Sequence, residues 1–345
     1  MSFRGWLTTI TLVLLAVVVY FAWPEILRAW DLTSRLNWWI LALIIPVQLF
    51  SYYATGGMIF SYLKAKGNIK EVGQWKVARM ALELNFVNHV FPSGGVAGFS
   101  YLGWRLKRYG VTVGRSTIAQ IIRFILTFVS FAGLLIVALI DLTLDDAVSR
   151  FELLLSFLLV LVCIGVVSLA IFVLSNRRRQ LRFTTWLVSL TNKFVAWITR
   201  GRKPEAVKQE PLDHFFDDLH QDYQDISRDR KVLITPFIWS IFANIADVML
   251  FWIAFWALGT PVDPASLFVA FGLSSLASAI SVTPGGAGVY ELVMIAVLSS
   301  GGVRPEEAIA GTLLTRVILV LGTILFGYVF YQATLNKYGK PEIQG

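Results

Sequence analysis

The chain has one cysteine and three histidines among 345 residues. Cys163 alone excludes an internal disulfide and a cysteine-built metal cage. Charge is also scarce: 15% of residues are charged, against roughly 25% in a soluble domain. That scarcity argues against an ordinary water-facing surface. Hydrophobic residues make up 56% of the chain and mean hydropathy is +0.67. Apolar runs of the roughly 20 residues that cross a bilayer recur along it. The formal net charge of +8 does not call for nucleic acid, because basic loops beside anionic lipid account for it.

The expected fold class is therefore all-α, a polytopic helical membrane protein. Full spans are expected near 5–23, 38–62, 116–140, 151–174, 234–258 and 310–334. The first of these ends in "YFAWPE", without the small-residue cleavage site of a signal peptide, so it is read as a span. Two interrupted regions, 74–104 and 265–300, lie between the spans. They hold "FPSGGVAGF" at 91–99 and "TPGGAGVYE" at 283–291.

Lysine and arginine placement orients the chain. The segment 175–233 carries "NRRRQLR" and "RDRK" and is expected to be cytoplasmic. The acidic "DLTLDDAVSR" at 141–150 and the uncharged-to-acidic "GTPVDPAS" at 259–266 then face outward. Both flanks of the first glycine cluster are basic and cytoplasmic. Its second limb, Val96–Trp104, is too short to cross as a helix, so a re-entrant broken-helix hairpin is expected there. The second region, 265–300, is long enough for a hairpin or for two spans, and charge cannot choose. The expected location is the cytoplasmic membrane, multi-pass, with both termini cytoplasmic.

The two clusters share spacing. Pro92 to Gly110 and Pro284 to Gly302 both cover 18 residues, Gly110-Val111 aligns with Gly302-Val303, and Arg123 and Arg316 follow 13 and 14 residues later. This spacing is read as an inverted-topology repeat, 1–145 and 146–345, the second half carrying the cytoplasmic amphipathic insert 175–233. Interrupted helices leave amides free at a helix start, a ready anion site, and survive in a bilayer only beside protein or a wet cavity. The alternative is a tight hairpin needed for packing alone.

Glu83, Arg123, Asp247, Glu291 and Arg316 fall within expected membrane segments. Facing lipid, five charges would cost roughly 15 kcal/mol together. They are expected to face the bundle interior, with Glu83–Arg123 and Glu291–Arg316 as natural pairs. Two readings stand: the pairs fix helix register, or the arginines grip a phosphate, for which a guanidinium is well shaped. The expected substrate-binding set is Glu83, Asn88, Pro92, Gly94, Gly95, Arg123, Asp247, Pro284, Gly285, Gly286, Gly288, Glu291 and Arg316. Asn85, His89 and Asn244 add polarity nearby, and Ala270, Ser274 and Ser278 recur at a spacing suited to close helix contact. No metal spacing and no cofactor motif is found. In the insert, Leu187, Leu190, Phe194, Trp197 and Ile198 share a helical face with basic flanks, so 181–198 is expected to lie on an anionic lipid surface. His214, Asp218 and His220 are read as part of a solvated acidic helix docked through Phe215, Phe216 and Leu219.

Taken together, "NHVFPSGGVAG", "RLKRYGV" and "TPGGAGVYE…GGVRPEEAIAGTLLTR" resemble the lysylphosphatidylglycerol synthase transmembrane family, also called flippase-like or UPF0104 proteins. The resemblance implies an integral membrane protein, joined in some members to a soluble aminoacyltransferase, whose membrane part is associated with moving a modified lipid between leaflets. It carries Pro92, Gly94, Gly95, Arg123, Pro284, Gly285, Gly286, Gly288, Glu291 and Arg316 as matched positions. Residues 335–345 leave no length for a synthase domain, so lysyl transfer is not expected and an enzyme is not the expectation. "PSGG" resembles one corner of a lipid-phosphatase motif, "PSGH", but lacks its histidine. The expected function is translocation of a lipid with an anionic or polyprenyl-linked headgroup. Competing readings are an ion-coupled carrier of a small anion and a membrane scaffold for a lipid- or glycan-modifying synthase partner.

Overall fold

The computed structural model describes residues 36–69, 71–90, 96–144, 150–179, 223–260, 262–280 and 286–338, with 181, 182, 185, 186, 189 and 221. The expected span at 5–23, the interfacial helix at 181–198 and His214, Asp218 and His220 lie wholly or largely outside these residues. The described residues are mostly helical, with no strand among them.

Eleven α-helices are labelled here in chain order. The first span is α1 (Trp38–Ala42) followed directly by α2 (Ile44–Ala65). Asn37 starts it, its side chain accepting from the amides of Trp39 at 3.1 Å and Ile40 at 3.3 Å, as a good N-cap does. Pro46 has no N–H to offer the Ala42 carbonyl, and α1 ends at that residue. Next come α3 (Gln74–Val90), α4 (Val96–Lys107), α5 (Val113–Leu144) and α6 (Arg150–Leu174). A 3₁₀ turn, Arg230–Leu233, leads into α7 (Ile234–Ala257). The chain continues through α8 (Pro264–Ile280), α9 (Val289–Ser300) and α10 (Pro305–Thr323). A π turn, Ile324–Tyr328, joins α10 to α11 (Val329–Tyr338).

Five stretches are long and apolar enough to cross a bilayer: Trp38–Ala65, Val113–Ile140, Leu154–Val173, Arg230–Ala257 and Pro305–Tyr338. They coincide, to within a few residues at either end, with the spans expected from composition near 38–62, 116–140, 151–174, 234–258 and 310–334. The chain is a multi-pass helical membrane protein. Helix α9, at 12 residues, rises about 18 Å and cannot cross the roughly 30 Å hydrocarbon core. It packs back along α8, which makes 265–300 a hairpin rather than two spans.

At the centre α2 and α7 pack against each other more extensively than any other described pair. Small residues allow it. A Cβ on Gly57 of α2 would lie 2.7 Å from the Trp239 ring of α7, and Ala54, Ala243 and Ser240 are buried nearby. Helix α3 packs on α2, α10, the π turn and α11, while α8 packs on α5, α6, α7 and α9. Helix α6 is peripheral: its Leu154, Phe157, Leu158, Ile164 and Leu169 are exposed, an apolar face that fits lipid rather than water.

The aligned pairs Gly110-Val111 and Gly302-Val303 close their helices alike. The amide of Val111 donates to Leu106 O at 3.3 Å and that of Val303 to Leu298 O at 3.1 Å. Both glycines are left-handed, with φ of 72° and 94°, the usual end for a helix.

Candidate functional site

Two groups of buried charge stand out, one on each interrupted helix pair. The first centres on Glu83 of α3, whose side chain is fully buried. Its Oε1 accepts from Arg79 Nε at 2.9 Å and from the Thr334 hydroxyl at 2.5 Å. Its Oε2 accepts from the Tyr101 hydroxyl at 2.6 Å and from Arg105 Nε at 3.4 Å. Helices α3, α4 and α11 therefore meet on a single carboxylate. Arg79 also donates to the Phe330 carbonyl at 3.2 Å and to Thr334 at 3.0 Å. Arg105 stands over the rings of Tyr109 and Tyr338, at 5.8 and 5.0 Å.

The expected pairing of Glu83 with Arg123 is not what forms. Arg79 lies one helical turn before Glu83 on the same face, and the α3–α4 hairpin folds Arg105 onto it, so the carboxylate is satisfied locally. Arg79 and Arg105, from the basic flanks of the first glycine cluster, are the partners.

The second group lies at the start of α9. Gly286 and Gly288 have φ of 70° and 89°, and the helical path is broken between α8 and α9, a conformation glycine adopts without a Cβ penalty. A Cβ on Gly286 would lie 2.2 Å from that of Ser278, so α8 and the loop touch backbone to side chain. Ala270 and Ser274, earlier in that four-residue spacing, are fully buried. Glu291 reaches back to the break: the Gly288 amide donates to its Oε2 at 2.6 Å, and Arg316 Nε of α10 donates to its Oε1 at 2.6 Å. The expected Glu291–Arg316 pair is present. Arg316 also stands over the Tyr290 ring at 4.6 Å. Phe251 of α7 stacks on that ring at 5.9 Å. One turn before Phe251, Asp247 accepts a hydrogen bond from Ser51 of α2. Tyr290 thus lies within electrostatic reach of Asp247, Glu291 and Arg316 together.

The free amide expected at this helix start is therefore occupied by the chain's own carboxylate. A positive guanidinium and a helix N-terminus converge on one oxyanion position, and Glu291 fills it. A phosphate offers the same kind of oxygen.

Arg123 of α5 is arranged differently. Its guanidinium stands over the Phe124 ring at 4.4 Å, and that ring stacks at 6.0 Å on Phe99, in the first turn of α4. Its Nε is buried without a hydrogen-bond partner among the described residues. Asn88 packs against Gly98, where a Cβ would come within 1.9 Å of its Oδ1, and that oxygen also lacks a partner among the described residues. Asn244 donates to the Thr127 carbonyl at 3.1 Å and to Ser130 Oγ at 2.7 Å, tying α7 to α5. Pro92, Gly94, Gly95, Pro284 and Gly285 lie outside the described residues.

Sequence reasoning missed a third polar link. Gln48 Nε2 donates to Tyr52 at 2.6 Å and to the Leu319 carbonyl at 2.8 Å, and Tyr52 hydrogen-bonds Thr323. It joins α2 to α10 just before the π turn. The available signal was a glutamine in an apolar run.

The family model described as "Lysylphosphatidylglycerol synthase TM region" matches residues 7–327. A "UPF0104 membrane protein" of Methanothermobacter thermautotrophicus is 24% identical over 250 residues, 72% of either chain. A second protein of that name and organism is 22% identical over 174 residues, 50% of this chain and 49% of its own length. One from Methanocaldococcus jannaschii is 22% identical over 162 residues, 47% and 46%. No solved structure matches the chain.

Proposed function

The chain belongs to the lysylphosphatidylglycerol synthase TM region family, and from that premise we propose that it is a flippase-like carrier of a lipid with an anionic or polyprenyl-linked headgroup. The observation that carries this reading is Glu291, whose carboxylate bridges the Gly288 amide and Arg316 at the start of an interrupted helix. An arriving phosphate competes for the same two donors and releases Glu291. The released carboxylate takes up a proton, so binding and release exchange one buried oxyanion for another with little net change in buried charge. That matters because an unpaired charge inside a bilayer costs about 2.5–3.5 kcal/mol on insertion scales.

Arg123, with an unused buried Nε beside the first interrupted pair, is assigned the corresponding grip in the other half. Asn88 is assigned to the same grip. Asp247 is assigned the role of holding Arg316 and Tyr290 in a polar environment. Glu83 is assigned mainly to holding its hairpin, because four donors already use its oxygens. The halves 1–145 and 146–345 are read as an inverted repeat, in the cytoplasmic membrane with both termini inside. The segment 181–198 is read as resting on anionic lipid. No catalytic step is assigned.

The test is leaflet exchange in proteoliposomes, with several labelled headgroups and with the purified full chain. Wild type accelerates exchange of at least one anionic lipid, and Arg316→Ala abolishes it while the protein remains folded. No acceleration with any headgroup would refute the reading. Uptake of a water-soluble anion without lipid exchange would favour the small-anion carrier instead.

A further inference from the structure

A cavity of about 340 Å³ lies between α2, α3 and the 3₁₀ turn that leads into α7, and no residue of either charge centre lines it. Its size falls in the range of small-molecule sites. Two lysines line it: Lys64 from the last turn of α2 and Lys231 from the 3₁₀ turn. Neither makes an ion pair among the described residues. The nearby carboxylates are already engaged. Asp225 pairs with Lys66 at 3.1 Å, and Asp229 caps the 3₁₀ turn by accepting from the Lys231 amide at 3.1 Å.

Aromatic side chains line the cavity beside the lysines. Trp239 lines the cavity with Tyr53 and Phe60. Gly57 lets the indole lie flat against α2, since a Cβ there would meet it at 2.7 Å. The aromatic wall does not stop at the cavity. Trp239 contacts Phe50 at 6.5 Å and Phe242 at 6.3 Å, and Phe50, Phe242 and Ile238 are exposed on the flank of the α2–α7 pair. A site lined by two lysines outside any ion pair among the described residues, at the end of a span, therefore runs continuously into an apolar face that meets acyl chains. Lysine end-charges attract anionic headgroups, and an occupant with an anionic head and an apolar tail matches both parts.

We infer that this cavity is a binding site for an anionic phospholipid, with its phosphate between Lys64 and Lys231 and an acyl chain along Trp239, Phe50 and Phe242. A free phosphate would satisfy only the lysine end. The inference concerns equilibrium binding and does not depend on leaflet exchange.

The experiment is native mass spectrometry of the delipidated full chain in detergent. The probes are dioleoyl phosphatidic acid and dioleoyl phosphatidylcholine, with glycerol 3-phosphate as competitor. Wild type is expected to retain phosphatidic acid in preference to phosphatidylcholine, and an equal concentration of glycerol 3-phosphate does not displace it. The pair Lys64→Gln with Lys231→Gln lowers apparent affinity by about tenfold or more, from two near-surface charges at roughly 1 kcal/mol each. Ser61→Phe, which fills the cavity without changing charge, lowers it too, while Lys107→Gln on α4 leaves it unchanged. Elution profile and melting temperature report folding for each variant. Equal retention by the double-lysine variant, equal binding of phosphatidylcholine, or displacement by glycerol 3-phosphate would overturn the assignment. The last outcome would leave a plain anion site.

Discussion

Replacing Glu83 with alanine removes four hydrogen bonds from the centre of the first hairpin and strands two guanidinium groups. Arg105 is the more serious case, because its side chain is 5% exposed while that of Arg79 is 28% exposed. Breaking a buried ion pair by deleting one partner costs about 3–5 kcal/mol, mostly through the charge left behind. Tyr101 and Thr334 add two donors aimed at an empty space, at about 1 kcal/mol each. Arg79 can still reach the Phe330 carbonyl and solvent, so its share is small. The expected loss is about 5–7 kcal/mol, which at roughly 2–4 °C per kcal/mol lowers the melting temperature by about 10–28 °C. Glu83→Gln should lose less, since one oxygen still accepts from Arg79 or Thr334. The assay is thermal denaturation in detergent, followed by monodispersity and intrinsic fluorescence. Combining Glu83→Ala with Arg105→Met should recover part of the loss, because the stranded cation is then gone, with a coupling of about 1–3 kcal/mol. An unchanged melting temperature in Glu83→Ala, together with lost lipid exchange, would refute the reasoning and make Glu83 a working group rather than a clamp.

Three further outcomes are expected. Arg316→Ala abolishes leaflet exchange with a near-normal elution profile; if it aggregates instead, its pairing with Glu291 is a register device. Gly286→Ala forces a left-handed φ of 70° on a residue whose Cβ would lie 2.2 Å from that of Ser278, and should cost about 2–4 kcal/mol in thermal stability. Adding Ser278→Gly relieves only the clash, so complete rescue would contradict the backbone part of that account. Tyr52→Phe leaves Gln48 and Thr323 each short of a buried partner, so a loss of about 1–3 kcal/mol is expected by the same melt, and no change at all would mean that water replaces the hydroxyl.

The sequence carried the spans well because crossing hydrocarbon demands long apolar runs whatever the tertiary structure. The second interruption was equally legible: "TPGGAG" places glycines where positive φ occurs at Gly286 and Gly288. The Glu291–Arg316 pair followed from placing one charge after the interruption and the other on the next span. Glu83 failed for a physical reason. Its partners Arg79 and Arg105 sit where spans end, and a charge count assigns such residues to water. Only the folded hairpin shows that α3 and α4 bring them inside. The spacing of Arg79 and Glu83 at i,i+4 was the missed clue. The cavity between Lys64 and Lys231 was also hidden, since it depends on α2 and α7 meeting across Gly57 and Trp239. The π turn leaves no hydropathy signature.

That wide turn at Ile324–Tyr328 has a mechanical consequence. Helix α10 is fastened at Arg316 to one charge centre and α11 at Thr334 to the other, so the segment between them works as a torsion joint in a shaft. Tightening its single extra residue into ordinary α winding would spin α11 by about 100° relative to α10. Thr334 would swing off the Glu83 carboxylate while Arg316 kept its grip. Deleting one residue within 324–328 removes the surplus residue and leaves continuous α winding with α11 still in register, so the Glu83 cluster should keep its thermal stability, whereas inserting one residue there swings Thr334 away; a cluster equally stable with the insertion would mean that the shaft does not transmit torque.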